Sequence, residues 1–534
     1  MTTSSADPLE RAPGRAPRRA LVAGSVGNFI EWYEFGVYGF FATIIAANFF
    51  TPDGGSEFEG LVKTYASFGI AFFFRPIGAA VFGRVGDRIG RRPTLILVLL
   101  LMTVATTLIG ALPTYATLGA AAPWLLTVLR ILQGLSAGGE FGGAVSIMTE
   151  FAPPGRRGLY GAWQSFTVAL GLLAGAGAAA LSATVMSEAS LGDWGWRVPF
   201  LLTLPIGLVA LWLRLRLEET PAFRAAAAGE ATTAPGPVAP SGGPEPVALS
   251  GGPESVTPSG GRGPVTPSGG PEPEASSGGP ERGTPSGGPE RVAAPREVAV
   301  AIVLGAARIM GWSAAGYTFL VVMPSYLQAT LNATFQQALV ATVVANAGFA
   351  LTILPAGLLS DRIGRRPVML TGAALVVVLA FPLLNVLQEP GSSAFTQALA
   401  VFAAGVVVGL MAGPGPAMLA EMFPTRVRYT GLGLAYALSN AVFSGCAGLI
   451  ITEVVKHTGE VDIPAYYVAV TCAVSVLALL TLREEGRRGA PRGRARTDGK
   501  NEKNGESKEN GQNRGNGGNG EGGQNERQEE TPCG

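Results

Sequence analysis

Three acids and three arginines stand inside stretches otherwise too apolar to hold them: Glu31, Glu34 and Glu140 against Arg75, Arg130 and Arg308. A charge at the centre of a bilayer costs about 2.5–3.5 kcal/mol on insertion scales, so charges that persist there have a partner or a function. At about 100° per residue, Gly24, Gly27, Asn28, Glu31, Glu34 and Tyr38 share one arc of a helix. Val26, Phe29, Ile30, Tyr33, Val37 and Phe41 take the other arc, so the pattern predicts a polar face on a central cavity and an apolar face on lipid. Arg130, Gln133, Ala137 and Glu140 likewise share an arc, with Leu132, Leu135 and Gly139 opposite. Arg130 and Glu140 are about 15 Å apart along that helix and must look to other helices for partners. A carboxyl group in low dielectric holds its proton tightly and a nearby guanidinium loosens it, so an acid–arginine set can exchange a proton for a substrate. Glu31 and Glu34 are therefore the candidates for proton carriage, with Arg130 as the tuner and Glu140 next in line. Arg75 or Arg308 could clamp a carboxylate. The plainer reading, that Glu31 and Glu34 only pair with arginine to hold helices together, stays open. Asn28, Tyr38, Gln133, Gln164, Tyr317 and Asn440 are candidate substrate contacts, with hydrogen bonding between helices as the alternative.

Apolar runs must position these residues. Runs of about 20 residues, enough to cross a bilayer, fall near 21–50, 60–82, 95–113, 123–147, 159–182 and 197–217, and again near 299–328, 336–359, 368–388, 396–420, 431–454 and 464–482. The expected fold is all-α and integral to the membrane, with twelve helices in two six-helix bundles over 21–217 and 299–482. Of the 534 residues only 14% are charged, far below a soluble chain of this length. The net charge of +1 hides a segregation. Arginines crowd the tail at 1–20, Arg156 and Arg157, Arg214 and Arg216, Arg426 and Arg428, and 483–534; the alternate loops carry Asp53, Glu57, Glu59, Glu188 and Asp193. Positive residues stay inside, so both termini are expected in the cytoplasm, at the cell membrane. Arg11, Arg15, Arg18 and Arg19 precede a long first run without a small-residue cleavage site, which does not read as a signal peptide. Cys446, Cys472 and Cys533 lack metal or disulfide spacing, and His457 is the only histidine. No metal, no cofactor beyond the proton as coupling ion, no nucleic acid and no enzymatic site is expected. The expected partners are the lipid bilayer and a small-molecule metabolite, with the chain functional as a monomer.

Between the bundles, Ser-Gly-Gly-Pro-Glu recurs from Ser241, Ser250, Ser268, Ser277 and Ser286. Such a tract has no apolar period and reads, over 218–298, as a disordered cytoplasmic linker; the tail at 483–534 reads the same way and has no heptads. Shortening the linker to about 20 residues is expected to leave uptake intact; loss of uptake by a correctly inserted, well-expressed shortened chain would assign the linker a regulatory role instead.

One basic knot occurs twice. Gly83-Arg84-Val85-Gly86-Asp87-Arg88-Ile89-Gly90-Arg91-Arg92-Pro93 returns as Gly357-Leu358-Leu359-Ser360-Asp361-Arg362-Ile363-Gly364-Arg365-Arg366-Pro367, each after the second apolar run of its half. A charged turn that fixes topology accounts for the arginines. It does not account for a Gly and an Asp four apart in both copies. A Gly there permits close backbone approach, and an Asp can accept from free amides at the start of a neighbouring helix. Gly83, Asp87, Arg88, Gly90 and Arg91, and Gly357, Asp361, Arg362, Gly364 and Arg365, are thus candidates for conformational switching. The pattern resembles the signature loop of the major facilitator superfamily.

Asn28-x-x-Glu31-Trp32-Tyr33-x-Phe35-x-x-Tyr38-Gly39 further resembles the first-helix motif of that superfamily's metabolite:proton symporter family. So do Phe74-Arg75-Pro76-Ile77-Gly78, Arg130-x-x-Gln133-Gly134 through Gly138-Gly139-Glu140, and Trp194-Gly195-Trp196-Arg197-x-Pro199-Phe200. Pro324-x-Tyr326-Leu327, Glu421-x-Phe423-Pro424 and Arg428-Tyr429-Thr430-Gly431 extend the likeness to the second half. The family includes proton-coupled carriers for α-ketoglutarate, citrate, shikimate and proline/betaine. The resemblance implies a secondary active transporter that takes up a small polar metabolite with a proton by alternating access; the arginines point to a carboxylate. Glu34 stands where the family usually has Asp, the linker is far longer than such carriers need, and the tail lacks the coiled coil of the osmosensing proline/betaine carriers. A drug or metabolite efflux antiporter of the same superfamily is the alternative, although Gly171 to Gly177 has the glycines but not the proline of the exporters' fifth helix. A non-transporting membrane receptor is a further one.

Overall fold

The computed structural model describes residues 15–51, 55–89, 91–138, 155–215, 295–423 and 428–482, with isolated positions between 145 and 153. The linker before Pro295, the tail after residue 482, Gly90 and Glu140 lie outside the described residues, as do the side-chain environments at Gly83, Asp87 and Arg91.

Among the described residues, ten helices are long and apolar enough to cross a membrane. Two more complete the expected twelve: α1, Arg15–Phe40, which holds Glu31 and Glu34, and α4, Ala121–Ala137. The others are α2 (Glu57–Ile89), α3 (Arg91–Ala111), α5 (Arg157–Val185), α8 (Phe335–Ile363), α9 (Arg365–Gln388) and α12 (Ile463–Leu480). The remaining four spans are α6 (Glu188–Leu215), α7 (Arg296–Ala329), α10 (Ala394–Glu421) and α11 (Thr430–Thr458). No strand occurs among the described residues. The helices start where the chain supplies caps. Thr334 and Gln337 form a capping box ahead of α8, and Ser393 accepts from the amide of Thr396 at the head of α10.

The helices run further than hydropathy suggests. The second copy of the basic knot stays helical through Ile363, and only Gly364 breaks it, at φ 104°, a conformation L side chains rarely adopt. The loop is thus a single glycine, and Arg365 and Arg366 already belong to α9. The α-helical segment that opens α7, Pro295–Tyr317, begins ahead of residue 299, since proline suits a first turn and Glu297 complements the helix dipole there.

Helices cross closely where glycine replaces a side chain. A Cβ on Gly134 or Gly138 would collide with the backbone of Ala71 or Arg75, so α2 and α4 pack backbone to backbone. In the second half a Cβ on Gly405 would strike Ala345 O, which brings α8 and α10 together in the matching way. The halves meet along α5 and α8, α1 and α7, and α2 and α11. One expectation fails. Ile30, Tyr33, Val37 and Phe41 do not face lipid but are as buried as the polar arc, because α5 and α6 cover them. Tyr33 donates to Pro199 O, and Phe41 packs on Phe200.

Candidate functional site

Helix α1 carries two buried carboxylates, and the close crossing of α2 and α4 brings two guanidinium groups to meet them. Glu31 pairs with Arg75 at 3.2 Å, each side chain only 4% exposed. Arg75 lies over the rings of Phe72 at 4.2 Å and Phe35 at 4.5 Å. Arg130 is fully buried, 4.1 Å from the Tyr38 ring and 4.9 Å from those of Phe35 and Phe68. The two cations therefore share Phe35, and the π faces replace part of the hydration they have lost. Tyr38, in turn, is fixed by a hydrogen bond between its hydroxyl and Ser67 Oγ.

Arg130 reaches Glu34 through two intermediaries. Its Nη1 donates to Gln133 Oε1 at 2.7 Å, Gln133 Nε2 donates to Thr106 Oγ1, and Thr106 donates to Glu34 Oε2 at 2.7 Å. Every donor in this series points toward the carboxylate. Arg130, Gln133, Thr106 and Glu34 thus form one connected network across α4, α3 and α1. The sequence pointed to three of its four members. Thr106 was missed because a threonine in an apolar run leaves no periodic mark, although Thr103, Thr106 and Thr107 cluster there.

Other expected contacts lie elsewhere. Asn28 donates to Gln164 O and Thr167 Oγ1, and Gln164 Nε2 returns a bond to Asn28 Oδ1, so these two stitch α1 to α5. Arg308 turns away from the centre. It donates to Ala478 O and Thr481 Oγ1 at the end of α12, whose last carbonyls attract a cation. Arg308 thus lies apart from the central cavity. Tyr317 and Asn440 do reach the centre, where they line a cavity of about 40 Å³ with Trp32, Trp312, Phe349 and Tyr436. The hydroxyls of Ser165 and Ser313 complete its polar lining, and none of its lining residues is charged. Tyr317 Oη is buried without a hydrogen-bond partner. Two of the walls are π-helical, Thr318–Val322 in α7 and Asn440–Gly445 in α11, a local form that recurs at functional sites.

Contacts between the halves lie on both sides of this cavity. At the end bearing the basic knots, Asp361 accepts from the amides of Gly158 at 2.7 Å and Leu159 at 2.9 Å, across the halves. Arg365 binds Asp361 at 2.8 Å and Glu421 at 3.1 Å. Gly357 and Gly158 allow this approach, since a Cβ on Gly357 would collide with that of Ala162. The Asp of the knot therefore meets a neighbouring helix start, as its chemistry suggested, at Asp361. Arg88 and Arg362 are exposed. At the other end the Tyr65 hydroxyl meets Ser325 Oγ, and Thr43 donates to Gln328 at 3.0 Å.

Residues 20–235 match the family described as "Sugar (and other) transporter", and residues 301–516 match "Major Facilitator Superfamily". The proline/betaine transporter of Escherichia coli (strain K12) is 31% identical over 471 residues, covering 88% of this chain and 84% of its own. The chain belongs to the major facilitator superfamily. Within the superfamily it is of the metabolite:proton symporter type, a multi-pass membrane transporter. The citrate-proton symporter of Klebsiella pneumoniae is 31% identical, covering 90% of this chain and 95% of that one. Among solved structures, a D-xylose-proton symporter superposes with a TM-score of 0.62 at 17% identity, covering 87% of this chain and 97% of the other, which shows the fold.

Proposed function

We propose that the protein is a proton-coupled symporter of the cell membrane, with both termini in the cytoplasm, and that its substrate is a compact zwitterion carrying an alkylated ammonium. The observation that carries this is the central cavity, aromatic on several sides and lined by no charged residue. Arg75 pairs with Glu31 and Arg130 holds Gln133 beneath three rings, and neither arginine lines the central cavity where a bare anion would sit. A di- or tricarboxylate there would lose its hydration without a counter-charge, at several kcal/mol per charge. A carboxylate that brings its own cation avoids most of that cost. Each ammonium–ring contact in a desolvated site contributes about 0.5–2 kcal/mol. Trp32 and Tyr317, 5.9 Å apart, and Trp312 and Tyr436, 6.0 Å apart, supply the rings. The Tyr317 hydroxyl supplies a donor for the carboxylate.

This refines the carboxylate expected from the arginines. The relatives do not separate the two classes, because proline/betaine and citrate carriers are equally similar. Glu34 carries the proton, Glu31 holds Arg75 in place, and no cofactor enters the cycle. Both halves of one chain line the central cavity, so a monomer is a complete transport unit and no enzymatic step is required. The arginine-rich loops support a cytoplasmic side for both termini.

The test is radiolabelled uptake by proteoliposomes under an inward proton gradient, across glycine betaine, proline, α-ketoglutarate, citrate and shikimate. Betaine or proline is expected to accumulate, with Trp312→Leu raising its KM about tenfold through loss of one wall. Accumulation of a dicarboxylate that betaine fails to inhibit would reverse the substrate class. Export of a lipophilic cation against the gradient would establish the antiporter instead.

A further inference from the structure

We infer that the Thr106 hydroxyl is the switch through which Arg130 and Gln133 register the protonation of Glu34, a positioning role that rests on the assignment of proton carriage to Glu34. A threonine hydroxyl has one proton to give and two lone pairs to receive with. Thr106 Oγ1 has two acceptors in reach, Glu34 Oε2 at 2.7 Å and Met102 O at 3.0 Å, and it accepts from Gln133 Nε2. It can serve only one of the two acceptors at a time.

With Glu34 ionised, the hydroxyl donates to the carboxylate, the stronger acceptor. When a proton arrives from solvent on Oε2, the carboxyl group becomes a donor and Thr106 Oγ1 its acceptor. The hydroxyl proton then turns to Met102 O, one turn back on its own helix, where threonine commonly bonds. No bond to carbon changes. One proton is gained by the carboxylate, and one hydroxyl rotates. In the new arrangement Thr106 Oγ1 receives from both Glu34 and Gln133. Both lone pairs are then taken, and an oxygen that no longer donates to an anion accepts less strongly, so the bond from Gln133, and with it the contact of Gln133 with Arg130, weakens. A local proton becomes a change between α1, α3 and α4, the helices that must shift for the half to rock.

The charged groups around Glu34 are consistent with this assignment. From α4 the facing charge is Arg130, and from α2 it is Arg75, which lies against the same Phe35 ring. On α1 itself Glu31 and Tyr33 are its titratable neighbours. The part of α3 in this network contributes a hydroxyl and no charge.

The test compares Thr106→Val, which keeps shape and removes the hydroxyl, with Thr106→Ser, which keeps the hydroxyl. Betaine-driven proton influx and substrate counterflow are measured on the same proteoliposomes. In Thr106→Val the ratio of proton-driven accumulation to counterflow is expected to fall at least fivefold, and the protons moved per substrate at least twofold. Thr106→Ser is expected to restore most of both. If Thr106→Val inserts poorly, Thr106→Ala serves with the same readouts. Equal ratios in Val and parent would overturn the switch. So would equal damage in Val and Ser, which marks a packing role. Proton influx retained by Glu34→Gln would instead defeat the assignment of Glu34, independently of Thr106.

Discussion

Glu34→Gln is expected to abolish uphill, proton-driven accumulation, at least a hundredfold below the parent, while substrate counterflow survives within about tenfold. Glutamine keeps the size and one acceptor oxygen of the side chain but cannot titrate. The Thr106 hydroxyl can still donate to that oxygen, and Arg130 still holds Gln133 and its rings, so the fold has little to lose. Counterflow exchanges substrate without net proton movement and needs only the rocking of the loaded carrier.

Glu31→Gln should behave differently. Its removal leaves the guanidinium of Arg75, 4% exposed, without the carboxylate at 3.2 Å. Breaking a buried pair in this way costs about 3–5 kcal/mol, cushioned here by Phe35 and Phe72. Both accumulation and counterflow are therefore expected to fall together. The contrast between the two variants separates a titrating carboxylate from a structural one. Full accumulation in both would return the coupling to Glu140.

The charged residues were legible because a bilayer makes them so expensive. Glu31, Glu34, Arg75 and Arg130 each stand out in an apolar run, and the structure brings all four together. Partner choice was not legible. Whether Arg75 or Arg308 meets a carboxylate depends on which helices cross, and that is decided by Gly134 and Gly138 lying against α2. Uncharged residues were harder still. The rings of Phe35, Phe68 and Phe72 look like any lipid-facing aromatic until two guanidinium groups are seen stacked on them. A helix covered on all sides also has no lipid face for an amphipathic arc to mark, which is why Tyr33 and Val37 misled.

Asp361→Asn is expected to slow turnover about tenfold and leave the competition order of substrates unchanged. Asp361 spends both oxygens on the first amides of α5, in the opposite half, and holds Arg365 as well. Asparagine keeps one acceptor, but its amide nitrogen would confront the second backbone donor and the guanidinium. Loss of a helix cap costs about 0.5–2 kcal/mol, and hydrogen bonds to charged groups are worth about 1.5–3 kcal/mol each. A carrier must close this end once per cycle, and about 1.4 kcal/mol against the closed state reduces its population tenfold. Glu421→Gln removes only the outer partner of Arg365, and the Glu421 side chain is 37% exposed. Exposed pairs contribute about 0–1 kcal/mol, so its rate should change less than threefold. Initial rates and a competition series on both variants decide the matter. A reordered substrate ranking at normal turnover would place Asp361 at the substrate rather than at the closure. The cavity lies toward the middle of the bundle and shares no residue with this contact, so a closure defect has no route to the ranking.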